Sequence, residues 1–440
     1  MSDRMHMVNS FDPTSGTVMD PVQRDLLARR QVVLGAPYRL FYEKPVHFVR
    51  GEGVLLFDAD GADYLDAYNN VPVVGHSNSR VQQAVTIQLG ILNTHTRYLT
   101  DGVIDYAERL VSLFPAGLDQ AIFACTGSEA VDLAVRIARQ CTGGEGVIIT
   151  SNAYHGTTSA AAELSPSLGP NNPIPPRVIT IEPPRSASER TDVGDTGFAE
   201  RVEEAVTEFG RRGIRFAGMI IDSVMSSDGL RTDPMGGFSL GIDVVKRHGG
   251  IYIADEVQPG FGRTGDWWGF ERYGVLPDLV VLGKPMGNGI PISAVVGTAP
   301  IFDRFGSEVR YFNTFGGNPV SVAAAAAVLD EITDRELRRS ARSIGKRLHE
   351  ELTTLAAIDA GVGEVRGAGL FLALDLISAA GDPDRERAAR IVNDLRERRI
   401  LISASGAHGN ILKIRPPLVF GAADADRLLD GLSQALSKSR

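Results

Sequence analysis

The chain has 440 residues, 43% hydrophobic and 22% charged, which is typical of a globular protein with a large core and favours two domains. Its formal net charge of −9 gives no reason to expect binding to nucleic acid or to an anionic membrane, and its two cysteines exclude a disulfide framework. Neither a signal peptide over Met1–Asp20 nor a run of roughly 18 apolar residues is present, so we expect a cytoplasmic protein.

The first predicted elements are short strands between about Leu34 and Tyr68, with a turn at Asp58–Gly61. After them strands and helices alternate, with helices predicted at Glu129–Gln140 and Phe198–Gly210. The candidate strands are rich in Val and Ile and apolar on both faces, which favours a mostly parallel sheet buried between helices. They are QAIFAC, GVIIT, GMIID, GIYIAD, LVVLG and ISAVVG.

The part of the chain that follows the alanine-rich helix Val320–Glu331 is predicted to be a smaller α+β module. Its elements are the helices Asp334–Leu355, Asp384–Arg398 and Asp424–Ser437 and the strands GLFLALDLI and ILKIRP. We therefore predict an α/β fold with a large domain over residues 76–331. A small α+β domain would form from both chain ends, residues 1–75 and 332–440.

Two adjacent carboxylates, Asp255 and Glu256, follow the buried run Ile251–Ala254, and Lys284 follows the next strand between glycines. Ligands in α/β sheets bind beyond the carboxyl ends of strands. Alone, the acids are more typical of a helix cap or a solvated loop, and the lysine of a surface position. Together they point to covalent amine chemistry, since a lysine of depressed pKa can form an imine and a carboxylate can keep a pyridine nitrogen protonated.

A phosphate site is predicted where the strand Ala121–Cys125 runs into a helix. Thr126 and Glu129 match a capping box, and Gly127 and Ser128 leave backbone N–H groups at the positive end of that helix. A capped helix without a ligand is the alternative. No glycine-rich nucleotide motif competes with this interpretation.

Tyr154 and His155 follow another predicted strand, Gly146–Thr150. An aromatic ring at the end of a strand can stack on a flat cofactor, although ordinary packing also explains Tyr154. His155 has no partners at metal-ligand spacing, so no metal site is expected.

These pieces, in this order, resemble the class III aminotransferases, which are fold-type-I pyridoxal 5'-phosphate (PLP) enzymes. The resemblance runs from about Gly35 to Leu436, most specifically in FACTGSEAVDLAVRIAR, AYHGTT, IYIADEVQPGFGRTG, LGKPMGNGIP and FNTFGGNPVSVAAA. It implies that Lys284 is the Schiff-base lysine and that Asp255 pairs with the pyridinium nitrogen. It further implies phosphate contacts from Gly127 and Ser128, ring packing by Tyr154 and Val257, a ring-hydroxyl contact from Gln258 and a phosphate contact from Thr314 across a dimer interface. The last of these contacts implies a homodimer with shared active sites, and the sequence does not distinguish a dimer from a tetramer.

Within that family the chain resembles the ethanolamine-phosphate and phosphohydroxylysine phospho-lyases more closely. The resemblance lies in LFYEKPVHFVRGEG, YLDAYNNVPVVGH, LNTHTRYL and the stretch Asp222–Ser227, where typical transaminases read Glu-Pro-Val-Gln-Gly. Asp222 thus replaces the usual acid, and its role stays open.

Lys413 and Arg415 add a chemical argument for the phospho-lyases. At i and i+2 on a strand they share one face, and two cations suit a phosphate better than a single carboxylate. The alternative is that one or both are solvated or paired with nearby acids, and the sequence does not distinguish which faces the substrate. By resemblance, loops near the substrate entrance carry Asn69, Asn70, His76 and Tyr98.

We therefore predict a PLP-dependent phospho-lyase that converts O-phosphoethanolamine to acetaldehyde, ammonia and phosphate, with Lys284 as the base at the carbon bearing nitrogen. Phosphate is a better leaving group than hydroxide, which favours elimination. The main alternative is an ω-aminotransferase that uses pyruvate or glyoxylate as acceptor. A non-catalytic PLP-binding regulator is disfavoured because both Lys284 and Asp255 are present.

Overall fold

The structure is a computed structural model that describes residues 8–184, 196–232 and 236–439. Of the polar N-terminal stretch, residues 1–7 lie outside the described residues, as does residue 440 of the predicted small domain. Within the described ranges, every helix is too short or too polar to cross a membrane.

The strands form three sheets. In chain order they are β1 (Phe48–Glu52), β2 (Leu55–Asp58), β3 (Asp63–Asp66), β4 (Gln120–Ala124), β5 (Gly146–Thr150), β6 (Val178–Ile181), β7 (Phe216–Asp222), β8 (Ile251–Asp255), β9 (Leu279–Leu282), β10 (Ser293–Gly297), β11 (Val362–Ala368), β12 (Phe371–Leu376), β13 (Ile400–Leu401), β14 (Ser403–Ser405) and β15 (Ile411–Ile414).

The helices surround these sheets. They are α1 (Pro21–Val33), α2 (Ser79–Leu89), α3 (Asp101–Val111), α4 (Gly127–Thr142), α5 (Ser159–Glu163), α6 (Gly197–Arg211), α7 (Gly236–Arg247), α8 (Ala299–Glu308), α9 (Pro319–Asp334), α10 (Leu337–Ala357), α11 (Arg385–Glu397) and α12 (Ala422–Lys438). Two 3₁₀ turns lie at Pro166–Leu168 and Gly269–Tyr273.

The seven-stranded sheet has the order β4-β10-β9-β8-β7-β5-β6. Only β10 is antiparallel to its neighbours, and the other pairs are parallel. Strands β5, β7, β8, β9 and β10 are buried along their whole length, which explains why they are continuous Val- and Ile-rich runs. The predicted α/β class with a mostly parallel sheet is confirmed.

The two smaller sheets join distant parts of the chain. In one, β13 pairs in parallel with β3 and so connects the C-terminal part to the N-terminal strands β1 to β3. The other has the antiparallel order β11-β12-β15-β14. This pairing supports a small domain built from both chain ends, and the division at residues 75 and 331 stays a prediction.

The register of the large sheet brings polar residues together at one edge. Asp222 at the end of β7 lies opposite Asp255 at the end of β8, and Asp255 in turn lies opposite Val281 of β9. Lys284 follows two residues after β9 ends. The carboxyl ends of neighbouring parallel strands therefore place an acid and a lysine side by side.

Candidate active site

A cavity of about 200 Å³ lies at this edge of the large sheet. Seven of the eight predicted cofactor residues line it, and the exception is Thr314. Its lining consists of Gly127, Ser128, Tyr154, His155, Gly156, Asp255, Val257, Gln258 and Lys284.

Lys284 lines the cavity, and its side chain is accessible from it. Nζ lies 6.0 Å from the centroid of the Tyr154 ring. Burial, reinforced by the nearby Arg415 cation, lowers the pKa of this lysine, while Asp255 and Asp222 oppose the shift. A lowered pKa increases the fraction of neutral amine, which is the form that attacks a carbonyl.

Asp255 is buried, and neighbours orient both of its carboxylate oxygens. Oδ1 accepts a hydrogen bond from the backbone N–H of Val257 at 3.0 Å. Oδ2 lies 2.6 Å from Nδ1 of His155, whose side chain is fully buried. This histidine, for which sequence reasoning gave no role, therefore positions the predicted partner of the pyridine nitrogen.

Glu256 points away from the cavity. Its two carboxylate oxygens accept hydrogen bonds from the backbone N–H groups of Gly269 and Phe270, at 2.7 and 2.9 Å, at the start of a 3₁₀ turn. Burial raises its pKa to about 8. Of the two adjacent acids, Asp255 lines the cavity and Glu256 caps a turn.

The N-terminus of α4 forms one end of the cavity. Thr126 Oγ1 accepts a hydrogen bond from the N–H of Glu129 at 3.2 Å, while the Glu129 carboxylate accepts from the N–H of Cys125 rather than from that of Thr126. A Cβ on Gly127 would lie 3.1 Å from both methyl groups of Val257. The absence of a side chain at 127 thus allows Val257 to pack against the helix start.

Ser128 lies beside Gly127 and keeps donor capacity. Its Oγ accepts a hydrogen bond from the N–H of Thr157 at 3.0 Å, so its hydroxyl proton is available to an anion. A Cβ on Gly156, whose φ is +140°, would clash with Ser128 at 2.4 Å. A glycine at 156 is therefore required for the loop after Tyr154 to close over the helix start.

Gln258 connects the cavity to a second polar group. Its Nε2 donates to Ser226 Oγ and, at 3.4 Å, to Asp222, and its Oε1 accepts from Arg415. Asp222 also accepts from the N–H groups of Val224 and Ser226, and burial raises its pKa. The predicted contact of Gln258 with a ring hydroxyl stays a prediction, because its amide is directed at these protein partners.

Lys413 and Arg415 do share a face, since their cationic groups lie 5.9 and 5.3 Å from the centroid of the Phe371 ring. Arg415 is anchored: it donates to Gln258 Oε1 and, through Nε at 3.3 Å, to the Tyr68 carbonyl. Burial, reinforced by Arg415, lowers the pKa of Lys413 to about 7.

Arg263 is a third buried cation near this group. Its NH1 donates to the carbonyls of Leu370 and Pro416, whereas Nε and NH2 have no hydrogen-bond partner among the described residues. Burial, followed by repulsion from Arg415, lowers its pKa to about 9. Arg263 does not line the cavity.

The residues expected near the substrate entrance are dispersed. Asn70 donates to the Gln258 carbonyl at 2.9 Å, and Asn69 Oδ1 accepts from the N–H of Val71. His76 lies 2.7 Å from Asp66, whose other oxygen accepts from the N–H groups of Tyr68 and Asn69. Tyr98 is 65% exposed and stacks on His95, and Thr314 is exposed as well. Neither Tyr98 nor Thr314 lines the cavity within this one chain.

The residues at the cavity fit PLP. An amine for the aldehyde, a fixed carboxylate for the ring nitrogen, and a helix N-terminus with a free hydroxyl for the phosphate all line one space. The side chains of Tyr154 and Val257 supply apolar walls for a ring. Gly127 lies so close to Val257 that a Cβ at position 127 would crowd it. The helix N-terminus that would bind the phosphate therefore packs directly against the Val257 wall.

Comparisons with known proteins agree with this fit. The family profile described as Aminotransferase class-III matches residues 41–436. The Drosophila melanogaster protein named alanine–glyoxylate aminotransferase 2-like is 37% identical over 92% of this chain and 85% of its own length. Ethanolamine-phosphate phospho-lyase homolog 1 of Caenorhabditis elegans is 34% identical over 94% of both chains. A solved Arthrobacter phospholyase in complex with phosphoethanolamine is 43% identical, with a TM-score of 0.91 over 94% of this chain and 99% of that one.

Proposed function

This chain belongs to the class-III aminotransferase family and is a PLP-dependent enzyme, and we propose that its reaction is the elimination of phosphate from an amino-alkyl phosphate. The best candidate substrate is O-phosphoethanolamine, with acetaldehyde, ammonia and phosphate as products.

The observation that carries this proposal is a group of buried cations that reaches the cavity lining through the hydrogen bond from Arg415 to Gln258. None of Lys413, Arg415 and Arg263 is hydrogen-bonded or ion-paired to a carboxylate within the part of the chain that the structure describes, and burial lowers the pKa of each. Burial of an uncompensated charge is costly, and an anionic group bound there would offset that cost. A phosphate dianion matches several cations better than a single carboxylate does.

The relatives support the same conclusion. The Arthrobacter structure, at 43% identity, is named a phospholyase in complex with phosphoethanolamine, and the worm relative is named an ethanolamine-phosphate phospho-lyase homolog. Both resemblances extend over 94% of this chain.

Each residue of the cavity has its own role in the proposed elimination. Bound PLP supplies an aldehyde that joins to an amine and a protonated ring that withdraws electrons from the neighbouring carbon. Asp255, held by His155, keeps the ring-nitrogen proton in place. Lys284 Nζ removes the proton from the carbon that bears nitrogen. The C–H electron pair becomes a carbon–carbon double bond while the C–O pair leaves with phosphate, and the released enamine hydrolyses to acetaldehyde and ammonia.

The second candidate is an ω-aminotransferase, which the fly relative's name favours. Transamination needs the same base and the same electron-withdrawing ring, so the cavity residues are compatible with both reactions. The two differ in their requirement for an acceptor, because only transamination consumes a keto acid.

A phosphate-release assay without a keto acid tests the proposal. Purified holoenzyme incubated with O-phosphoethanolamine alone is expected to release phosphate and acetaldehyde in equal amounts. Phosphate that appears only after pyruvate or glyoxylate is added, or not at all, would exclude the lyase reaction.

A homodimer and a cytoplasmic location remain predictions. For the homodimer, the support is a set of exposed apolar side chains near Thr314. Leu99 is 94%, Phe315 70% and Phe312 41% exposed in the single chain, which a partner subunit would cover.

A further inference from the structure

Elimination of phosphate raises a proton problem that concerns the leaving group. A phosphate monoester is largely a dianion at neutral pH, since its second pKa is about 6. Cleavage of the C–O bond in the dianion would release the phosphate trianion, which is a strong base and a poor leaving group. A proton must therefore reach the bridging oxygen as the bond breaks, and a positioned general acid is the usual source.

Most groups near the cavity do not suit this task. Lys284 acts as the base at carbon. Arg415 is held by Gln258 and the Tyr68 carbonyl, and Arg263 is held by the carbonyls of Leu370 and Pro416. Asp222 is buried and accepts hydrogen bonds at both oxygens, and burial raises the pKa of the Tyr154 phenol, which makes it a weaker acid.

Lys413 differs from these groups in being free to take a ligand. In the ranges 8–184, 196–232 and 236–439 its Nζ has no hydrogen-bond partner, and it lies 5.9 Å from the centroid of the Phe371 ring. Charged groups from three elements face it: Arg415 from its own strand end, Asp222 from the end of β7, and Lys284 from the segment after β9. Arg415, which lies by the same Phe371 ring, donates to Gln258 of the cavity lining, and this places Lys413 next to the cavity.

We propose that Lys413 binds the substrate phosphate and is the general acid that protonates its bridging oxygen; this rests on the proposed phospho-lyase function. The Lys413 ammonium gives one proton to that oxygen as the C–O electron pair moves onto it. Hydrogen phosphate dianion leaves, and the neutral Lys413 amine regains its proton from water. Arg415, anchored to Gln258 and Tyr68, contributes charge without a proton.

The electrostatics of the site agree with this role. With its pKa lowered to about 7, Lys413 is a stronger acid than an ordinary lysine, and about half of it is protonated at pH 7. A bound phosphate dianion favours the ammonium and raises this pKa again. The basic limb of the kcat profile should therefore lie at higher pH than the basic limb of the kcat/KM profile.

The test compares two esters with two variants of Lys413. Lys413→Arg keeps the charge but removes an accessible proton, and Lys413→Met removes both. 2-Aminoethyl hydrogen sulfate has the same shape as the phosphate ester, but its leaving group is sulfate, a weak base that departs without a proton. Lys413→Arg should lower kcat for the phosphate ester by about 10²- to 10⁴-fold and kcat for the sulfate ester by less than about 10-fold.

Equal losses with the two esters, or a kcat for the phosphate ester that stays within about 3-fold in Lys413→Arg, would overturn the proposal. The pH dependence of kcat with the phosphate ester is an independent test of the proposal, which does not require the sulfate ester to be a substrate. The decrease of kcat at high pH should be present in the wild type and absent in Lys413→Arg, and its persistence in the variant would overturn the assignment.

Binding of inorganic phosphate to the holoenzyme, measured by calorimetry, distinguishes a variant that has lost catalysis from one that is misfolded. Lys413→Arg should bind phosphate within a few-fold of the wild type, whereas Lys413→Met should bind it at least about 10-fold more weakly. Equal affinity in Lys413→Met and the wild type would contradict a phosphate contact at Lys413. Failure of the proposed function itself is distinguishable, because the wild type would then release no phosphate without a keto acid.

Discussion

Replacement of His155 tests whether the cavity orients Asp255 through a charge-assisted hydrogen bond. The Nδ1 to Oδ2 distance is 2.6 Å and both side chains are buried, so water cannot substitute readily for the lost partner. Hydrogen bonds to charged groups contribute about 1.5–3 kcal/mol. At 1.36 kcal/mol per factor of ten, His155→Leu should lower kcat for phosphate release by about 10- to 150-fold.

Asparagine offers a matched control at the same position. Its amide nitrogen occupies nearly the same place as Nδ1 of histidine, so His155→Asn should still donate to Asp255. We expect this variant to keep kcat within about 5-fold of the wild type, because one hydrogen bond of ordinary strength is retained. The PLP dissociation constant, followed by absorbance, should increase in His155→Leu and change little in His155→Asn.

Equal losses in the two variants would refute this reasoning, because the effect would then come from packing rather than from the hydrogen bond to Asp255. Unchanged kcat in His155→Leu would refute it as well, since Asp255 would then need no support beyond the Val257 N–H.

Three further predictions concern the helix start, the pH dependence of stability and assembly. Gly127→Ala should weaken PLP binding by about 1–3 kcal/mol because its Cβ would lie 3.1 Å from Val257, whereas Gly210→Ala, in α6 with open space around it, should leave PLP affinity unchanged in the same titration. Burial raises the pKa of Asp228 from 3.8 to about 6, so the folded state keeps this proton longer than the unfolded state and the wild type loses up to about 3 kcal/mol of stability as pH rises from 4 to 6. Asp228→Asn has no titratable group at this position, so the difference between its thermal midpoint and that of the wild type should increase in its favour from pH 4 to 6 and be constant above pH 6. A difference that is constant from pH 4 to 7 would contradict the pKa shift. The Leu99→Asp, Phe315→Asp double variant should run as a monomer in light scattering, whereas Ile358→Asp, at a position 67% exposed on the small domain, should keep the mass of the wild type; equal masses for all three proteins would exclude this face as the interface.

The sheet that carries the site was predictable because its strands are buried on both faces. Strands such as β5 and β8 are continuous apolar runs, and in a chain where helices alternate with them such short runs indicate the inner strands of a parallel sheet. The edge strand β6 was missed, since it has four residues and is buried only at its two ends. Helix α1 was missed as well, because none of its residues is buried and it therefore shows no apolar stripe.

The identity of the cavity residues was predictable, and their connections were not. Motif spacing placed Lys284, Asp255 and Gly127 at strand and helix ends, where ligands bind. The contact between His155 and Asp255 spans 100 positions in the chain, and only the parallel order of β5, β7 and β8 brings the two together. One signal was present: a histidine directly after a buried strand that ends at the same sheet edge as an acid.

The separate roles of Lys413 and Arg415 likewise depended on tertiary contacts. Alternation along a strand predicts a shared face, which the Phe371 ring contacts bear out. Which cation stays free is decided by Gln258 and Tyr68, which hold Arg415 from elements distant in sequence. No local pattern around residue 415 contains that information.

Covalent attachment at Lys284 is tested most directly by reduction of the holoenzyme with sodium borohydride, followed by mass spectrometry of its peptides. A single phosphopyridoxyl group on Nζ of Lys284 is the expected result. A label on any other lysine, or no label on a protein that contains stoichiometric PLP, would contradict the assignment of this cavity as the catalytic centre.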